Sequence, residues 1–142
     1  MKPSEYRRVY YTLNLTWGLL MNIVGAIAAL GLLLIGKRPR KYAGCWHFEI
    51  GRNWGGLCLG MFIITHRGAN GATKRHELGH SIQNAMYGPV MVFFTIASAL
   101  RYWYRIFMTS RGYGDRLGKY DDFWLEAEAT KLGNRDIYMF GK

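Results

Sequence analysis

Two histidines and a glutamate stand at a spacing that can support chemistry: the segment His76-Glu77-Leu78-Gly79-His80 has the form H-E-x-x-H. Residues four apart on a helix share one face, so both imidazoles could bind one Zn²⁺. Because a bound metal brings the pKa of water close to neutrality, Glu77 could take a proton from that water and pass it to a leaving amine. The alternative is an amphipathic helix whose two histidines pack in the core or face solvent.

A catalytic zinc usually has three protein ligands, so a third donor must come from elsewhere in the chain. Both cysteines, Cys45 and Cys58, fall on predicted strands, where we expect them to be buried or to form a cross-strand pair. Two histidines remain open as donors, His47 and His66. The stronger candidate is a carboxylate on the last predicted helix, which carries Glu126 and Glu128. These two lie about 200° apart around a helix, so one faces the metal and the other faces solvent or a basic partner.

Three segments resemble those of the gluzincins, in which H-E-x-x-H is followed by E-x-x-A-D. The most similar group is that of the HtpX and CAAX-prenyl endopeptidases, which are integral-membrane zinc proteases, together with small uncharacterised bacterial membrane proteins. The matching pieces are residues 76–83, the Gly88-Pro89 pair and residues 126–133, so the resemblance covers about residues 57–133. Only the H-E-x-x-H segment is highly specific.

The resemblance implies a complete zinc site. It makes His76, His80 and Glu126 the metal ligands and Glu77 the general base. One position departs from the family pattern, because Thr130 stands where the gluzincins carry Asp. That acid holds a ligand histidine, and threonine would do so without charge. Losing such a partner typically costs 10–100-fold in metal affinity or activity, so weak activity is one expectation.

Further residues are candidates for binding the substrate. The resemblance implies that residues 57–65 form the edge strand along which an extended peptide is laid, with Leu57, Leu59 and Gly60 in contact with it. Three more residues are candidates to stabilise the oxyanion of the tetrahedral intermediate: Tyr120, Arg135 and Tyr138. A solvated C-terminal tail explains the last two residues equally well.

Charge and hydropathy indicate a membrane. The 142 residues carry a formal charge of +10, yet no charged residue lies between Arg8 and Lys37. Within that gap, residues 13–35 form an apolar run that as one helix would be roughly 34 Å long, enough for a hydrocarbon core of about 30 Å. Basic residues flank both ends, which is typical of headgroup anchors, so lipid explains the charge better than nucleic acid. We expect an uncleaved anchor, with a cleaved signal peptide as the lesser alternative.

The remaining elements must hold the motif. Strands are predicted at Cys45–Glu49 and at residues 57–65, and together they suggest a hairpin. Gly60 inside the second strand indicates either a bulge or a close approach of the backbone to another element. Thr73 is a plausible N-cap for a helix over residues 74–87, which carries the H-E-x-x-H segment. A last helix is predicted over residues 121–132, ending at Gly133-Asn134.

A second apolar segment creates a topological problem. It lies between the two histidines and Glu126, so a single crossing of the bilayer would separate the ligands by about 30 Å. We therefore predict that residues 88–108 form a re-entrant or interfacial helical hairpin, bent near Ala97-Ser98. The alternative is a tilted span of about 21 residues, in which case Glu126 and Glu128 cannot serve the metal.

The sequence thus predicts a mainly α fold with a small β-hairpin. It is divided into a transmembrane anchor over residues 1–36 and a membrane-associated, minimal gluzincin-like domain over residues 37–142. The expected function is zinc-dependent hydrolysis of peptides at the membrane surface. The alternatives are an inactive membrane protein that keeps the metal helix for structure or binding, and a basic membrane-surface adaptor without metal. The expected partners are a peptide substrate and the bilayer, without nucleic acid; the oligomeric state stays open. A weak positive-inside bias favours a bacterial inner membrane and a cytoplasmic site.

Overall fold

The computed structural model describes residues 1–118 and 123–141. Over these residues the chain is mainly helical, with one small mixed sheet. The elements are α1 (Pro3–Leu15), α2 (Leu19–Leu34), β1 (Arg40–Tyr42), β2 (Cys45–Glu49), β3 (Gly56–Leu59), β4 (Phe62–Thr65), α3 (Gly71–Tyr87), α4 (Met91–Ser110) and α5 (Trp124–Asp136). Short 3-10 turns lie at Gly88–Val90, Gly114–Arg116 and Ile137–Phe140.

The sheet has the strand order β1-β2-β4-β3. The predicted hairpin between β2 and the next strand is wrong, because β2 pairs with β4 in parallel. Residues 57–65 are not one strand but fold back on themselves as the antiparallel pair β3 and β4. Gly60 lies in that turn with φ +68°, a conformation that favours glycine, so the bulge alternative is wrong. The close-approach alternative is confirmed, because a Cβ added at Gly60 would collide with Asn22 of α2. The arrangement leaves β3 at the edge of the sheet.

The apolar run over residues 13–35 is not one helix, and that prediction is wrong. The helix stops after Leu15 and restarts at Leu19 with a bend of 81°. Two asparagines inside the run explain the break, because their amides are buried and need partners. The side-chain amide of Asn22 donates to the Asn14 carbonyl, and that of Asn84 on α3 donates to both Asn14 Oδ1 and the Gly18 carbonyl. These hydrogen bonds therefore join the bend between α1 and α2 to α3.

Within the described residues, no single helix combines the length and apolarity needed to cross a bilayer. Only the bent pair α1 and α2 meets those criteria, by length and composition, when the two helices are taken together. Alone, the 16 residues of α2 extend about 24 Å. The transmembrane anchor stays a prediction.

The predicted bend near Ala97-Ser98 is also wrong. The α4 helix runs without interruption over 20 residues, from Met91 to Ser110. The physical reason is local, because neither proline nor glycine interrupts those residues, and sharp kinks need such a cause. The alternative, a tilted span of about 21 residues, stays a prediction. Its expected consequence is wrong, because α5 returns to pack against α3 and brings Glu126 to the two histidines.

The helix ends differ from their predictions by a few residues. Asn70, rather than Thr73, caps α3: its Oδ1 accepts from the Thr73 backbone N–H at 2.9 Å. The α5 helix continues through Gly133-Asn134 to Asp136. Its predicted start, at residues 121 and 122, lies outside the described residues. The core lies between α1, the sheet and α3, and includes Tyr10, Cys45, Ile63, Leu78 and Ile82.

Candidate metal centre

Two glycines allow α3 and α5 to touch at the level of their backbones. A Cβ atom added at Gly79 of α3 would collide with the Ala129 carbonyl of α5. A Cβ added at Gly133 of α5 would collide with the Arg75 carbonyl of α3. No larger residue fits either position without moving a helix. The close approach of the two helices lets the Glu126 side chain reach the face of α3 that carries His76 and His80.

Three donors meet between these helices. Glu126 Oε2 lies 3.0 Å from His76 Nε2 and 3.1 Å from His80 Nε2. The donor atoms of the three residues all lie within 4.8 Å of one another, so the group could hold a metal ion. Glu126 is only 1% exposed, and its second oxygen, Oε1, is buried without a hydrogen-bond partner among the described residues. Because an orphaned buried carboxylate oxygen is costly, a cation fits this cluster.

The electrostatics of the cluster favour a charged carboxylate. Burial alone would raise the pKa of Glu126, but hydrogen bonds from the two imidazoles outweigh burial and hold that pKa well below its usual range. Burial opposes the charged form of His80, yet Glu126 and Glu77 raise the pKa of this imidazole to about 9. A cation must therefore displace the proton of the His80 imidazole, which makes metal binding dependent on pH.

In each candidate ligand histidine, the Nδ1 atom, on the side of the ring away from Glu126, contacts a side-chain oxygen. His76 Nδ1 lies 2.8 Å from Thr130 Oγ1, and His80 Nδ1 lies 2.8 Å from Gln83 Oε1. When each Nδ1–H donates to its oxygen, each Nε2 is the ring nitrogen that remains available to bind a cation in place of its proton. Such contacts orient metal ligands and fix their tautomer. Thr130 thus occupies the position at which the family resemblance places an acid, and it contacts the histidine without charge.

Glu128 was expected to face solvent or a basic partner, and that expectation is wrong. Its carboxylate instead accepts from the Gln83 side-chain amide at 2.8 Å and from the Tyr87 hydroxyl at 2.7 Å. Gln83 also donates to the Leu125 carbonyl at 2.9 Å. The predictions gave no role at the site to Gln83 or Tyr87 and considered Glu128 only as an alternative ligand. Two signals pointed to Gln83: it lies one helical turn after His80, and it ends the segment that resembles the gluzincins.

Glu77 is buried against the edge strand. It is 5% exposed, and a Cβ added at Gly56 of β3 would lie 2.6 Å from Glu77 Oε1. The absence of a side chain at Gly56 therefore leaves the space that this carboxylate uses. Burial raises the pKa of Glu77, while the two imidazoles lower it by a smaller amount. A carboxylate with a raised pKa is a stronger base, which suits proton transfer near neutral pH.

A cleft of about 520 Å³ opens beside the cluster. Glu77, His80 and Glu126 line it on one side, together with β3 residues from Gly56 to Cys58. The α4 helix forms the opposite wall. The volume lies in the range typical of small-molecule and peptide subsites. Of the predicted edge-strand residues, Leu57 lines the cleft, Leu59 ends β3, and Gly60 lies in the turn beyond the strand.

The structure does not bring Arg135 or Tyr138, two of the three proposed oxyanion stabilisers, to this cleft. Arg135 is bound to the neighbouring Asp136, with Nε 2.5 Å from Oδ1, and its side chain is 62% exposed. Tyr138 is 82% exposed on the last 3-10 turn. Neither residue lines the cleft. Tyr120 lies outside the described residues.

The other residues considered as third donors are engaged elsewhere. His47 on β2 is buried, and its Nε2 lies 2.7 Å from Thr65 Oγ1. His66 contacts the Gly55 backbone at 3.0 Å. Both cysteines are free and buried, Cys45 on β2 and Cys58 on β3, so the buried alternative holds and the cross-strand pair does not.

Comparisons of this chain with protein-family models, with curated proteins and with solved structures found no match.

Proposed function

We propose that this protein is a zinc-dependent peptidase. The observation that carries the proposal is the convergence of His76, His80 and Glu126 on one point, with the buried Glu77 carboxylate lining the same cleft. Two imidazoles and one carboxylate form the ligand set of several zinc peptidases, and such donors suit Zn²⁺ better than Mg²⁺ or Ca²⁺. The arrangement agrees with the gluzincin resemblance of the sequence.

Each residue of the site has a separate role in the proposed reaction. A zinc ion, when bound by the three donors, supplies an electrophile that polarises a peptide carbonyl and lowers the pKa of water. Glu77 accepts the proton of the attacking water and delivers it to the amine nitrogen that leaves. Thr130 and Gln83 keep the two imidazoles oriented. The cleft wall at β3 offers an edge against which an extended peptide chain can align.

We also propose that the protein works at a lipid bilayer. Large apolar side chains are exposed along both α2 and α4, and soluble proteins rarely expose contiguous apolar patches of this kind. They are Leu19, Leu20, Ile23, Val24, Ile27, Leu30, Leu33 and Leu34 on α2, and Phe93, Ile96, Leu100, Trp103 and Phe107 on α4. Exposed basic residues at positions 38, 40 and 41 follow α2 and suit anionic headgroups.

Vesicle flotation tests the membrane proposal. We expect the protein to float with vesicles of phosphatidylglycerol and phosphatidylethanolamine. The double substitution Ile27→Lys, Leu30→Lys should reduce flotation strongly, because both side chains point away from the protein. Unchanged flotation of this variant would contradict a role of α2 in membrane binding.

One observation favours a second candidate, a membrane protein that binds metal without efficient hydrolysis. Thr130 contacts His76 without the charge that an aspartate would bring, so this ligand histidine lacks a charged partner there. The two candidates differ in turnover and not in metal content.

A peptidase assay with a matched variant separates the two candidates. We expect the zinc-loaded protein to cleave members of a mixed peptide library. Glu77→Gln should keep the metal and lose about 10²–10⁴-fold in rate, because the amide cannot accept the proton. Glu49→Gln on β2 serves as the control and should keep full activity. Undetectable cleavage by a zinc-loaded wild type would favour the second candidate.

A further inference from the structure

Small side chains on α4 create the space of the cleft. The inner face of the helix carries Thr95 and, one turn later, Ser98 and Ala99, and all three line the cavity. Larger apolar and aromatic residues surround them, including Met91, Tyr102, Trp103 and Ile106. The helix therefore does not fill the space that faces the metal donors.

The cleft wall is held in place at one end. The Tyr102 hydroxyl donates to the Trp54 backbone carbonyl at 2.8 Å, and this bond joins α4 to the loop that precedes β3. The Trp54 indole in turn donates to the Ile50 carbonyl at 2.7 Å. The cavity thus has a defined end wall of aromatic side chains and does not arise from a loose surface loop.

We propose that this cavity is a specificity pocket for a bulky apolar side chain of the substrate, seated next to the bond that is cut. The proposal rests on the proposed function, because the cleft contains Glu77, His80 and Glu126. It goes beyond that function by assigning the substrate class and by making Ala99 and its neighbours the residues that set pocket size.

The lining decides which side chain fits. Beyond Glu77, His80 and Glu126, it consists mainly of apolar and aromatic groups, so a charged side chain would lose its hydration without gaining a partner. No lysine or arginine is among the described lining residues, which disfavours an acidic side chain. The volume of about 520 Å³ accommodates an aromatic or leucine side chain together with adjoining backbone.

One polar atom in the wall suits a peptide rather than a hydrocarbon chain. Ser98 lines the cleft, and its Oγ is buried with no hydrogen-bond partner in the described part of the chain. A buried hydroxyl without a partner is unfavourable, and a backbone carbonyl or amide of a bound peptide would satisfy it. An acyl chain would not.

Two hydroxamates test the pocket directly. Both carry the same zinc-binding group and peptide backbone, and they differ only in one side chain, benzyl or methyl. Affinities are measured by calorimetry on the full-length, zinc-loaded protein, whose zinc content is determined first. We expect the benzyl compound to bind about tenfold tighter or more, because it buries additional apolar surface.

Filling the pocket should remove that preference. Ala99→Phe occupies the cavity and should reduce the affinity of the benzyl compound about tenfold, with a smaller effect on the methyl compound. Ala97→Phe is the matched control: it makes the same change on the exposed side of the same helix and should alter neither affinity. The wild-type comparison stands even if the Ala99→Phe protein does not fold.

The outcomes separate this proposal from the proposed function. Equal affinity of the two hydroxamates for the zinc-loaded wild type overturns the pocket, whether or not peptides are hydrolysed. An equal loss of benzyl affinity in Ala97→Phe and Ala99→Phe also overturns it. Selective benzyl binding without any peptide hydrolysis supports the pocket and overturns the hydrolytic role.

Discussion

The helices α4 and α5 flank the same candidate metal centre and differ in how closely they pack against the rest of the protein. The α5 helix touches the backbone of α3 at Gly79 and Gly133 and buries six residues, among them Glu126. The α4 helix buries only Met91 and turns one face to the cleft. The donors that need accurate placement thus lie on the tightly packed pair, and the wall that must leave room lies on the loosely packed helix.

The α3–α5 pair and α4 also differ in the kind of side chain that they bury or expose. At the site, α3 and α5 bury polar side chains, including Glu77, Gln83 and Glu126. The α4 helix exposes Phe93, Leu100 and other apolar residues instead. Buried polar groups that are mutually hydrogen-bonded specify one arrangement, whereas exposed apolar groups need a partner such as lipid. Under the proposed function, the tightly packed polar region would carry the chemistry and the exposed apolar region would bind lipid.

The largest effect is expected from widening the α3–α5 contact. Gly133→Ala places a Cβ against the Arg75 carbonyl, and backbone on both sides leaves no flexible group to yield. We expect a loss of about 3 kcal/mol in the free energy of unfolding, together with weaker metal binding. Gly31→Ala on α2 is the control: no atom lies within 4 Å of the added Cβ. Its helix propensity should raise stability by about 0.5–1 kcal/mol. Chemical denaturation measures both, and equal stabilities would refute the tight contact.

The contact between Thr130 and His76 tests whether α5 orients the histidine donors. Thr130→Val removes the oxygen that lies 2.8 Å from His76 Nδ1 at nearly constant volume. We expect the zinc dissociation constant to rise about 10–100-fold. Thr130→Asp restores a charged partner and should tighten zinc binding and raise kcat. A metal affinity that is indifferent to both changes would show that Thr130 does not hold the ligand.

These residues also show what the sequence could predict. The spacing of His76 and His80 is local, so their shared face followed from helix geometry. The last predicted helix offered Glu126 and Glu128 as third donors, and the family resemblance selected Glu126. The break after Leu15 could not be foreseen, because Asn14 meets its partner Asn84 only in the folded chain, 70 residues away. The parallel pairing of β2 with β4 is likewise nonlocal, and so is the contact that joins Gln83 to Glu128.

The far end of α5 gives a pH-dependent test of its anchoring. Burial alone would raise the pKa of Asp136, but hydrogen bonds from Arg135 and from Tyr6 of α1 outweigh burial and lower it below 3.8. The stabilisation is therefore complete above the unfolded-state pKa and is lost as the pH falls through the lower folded-state pKa. Asp136→Asn should cost about 1–2 kcal/mol at pH 7, and the difference from wild type should shrink below about pH 4. A difference independent of pH would contradict the charged contact.

The smallest effect is expected on α4. Tyr102→Phe removes the hydroxyl that donates to the Trp54 carbonyl and leaves the ring in place. Such a bond contributes about 1 kcal/mol, so stability should change little. The KM for an apolar peptide should change more than kcat, because Tyr102 lines the cleft and does not contact the metal donors. A large fall in kcat with unchanged KM would place Tyr102 in the chemistry instead.

The central claim is that one carboxylate on α5 and two imidazoles on α3 hold a single metal ion. Zinc titration against a chromophoric chelator tests it, with wild type, Glu126→Gln and the control Glu49→Gln measured side by side. We predict one zinc per chain in the wild type, a dissociation constant about 100-fold higher in Glu126→Gln, and no change in the control. Wild-type affinity in Glu126→Gln, or a wild type without stoichiometric zinc, would contradict the account.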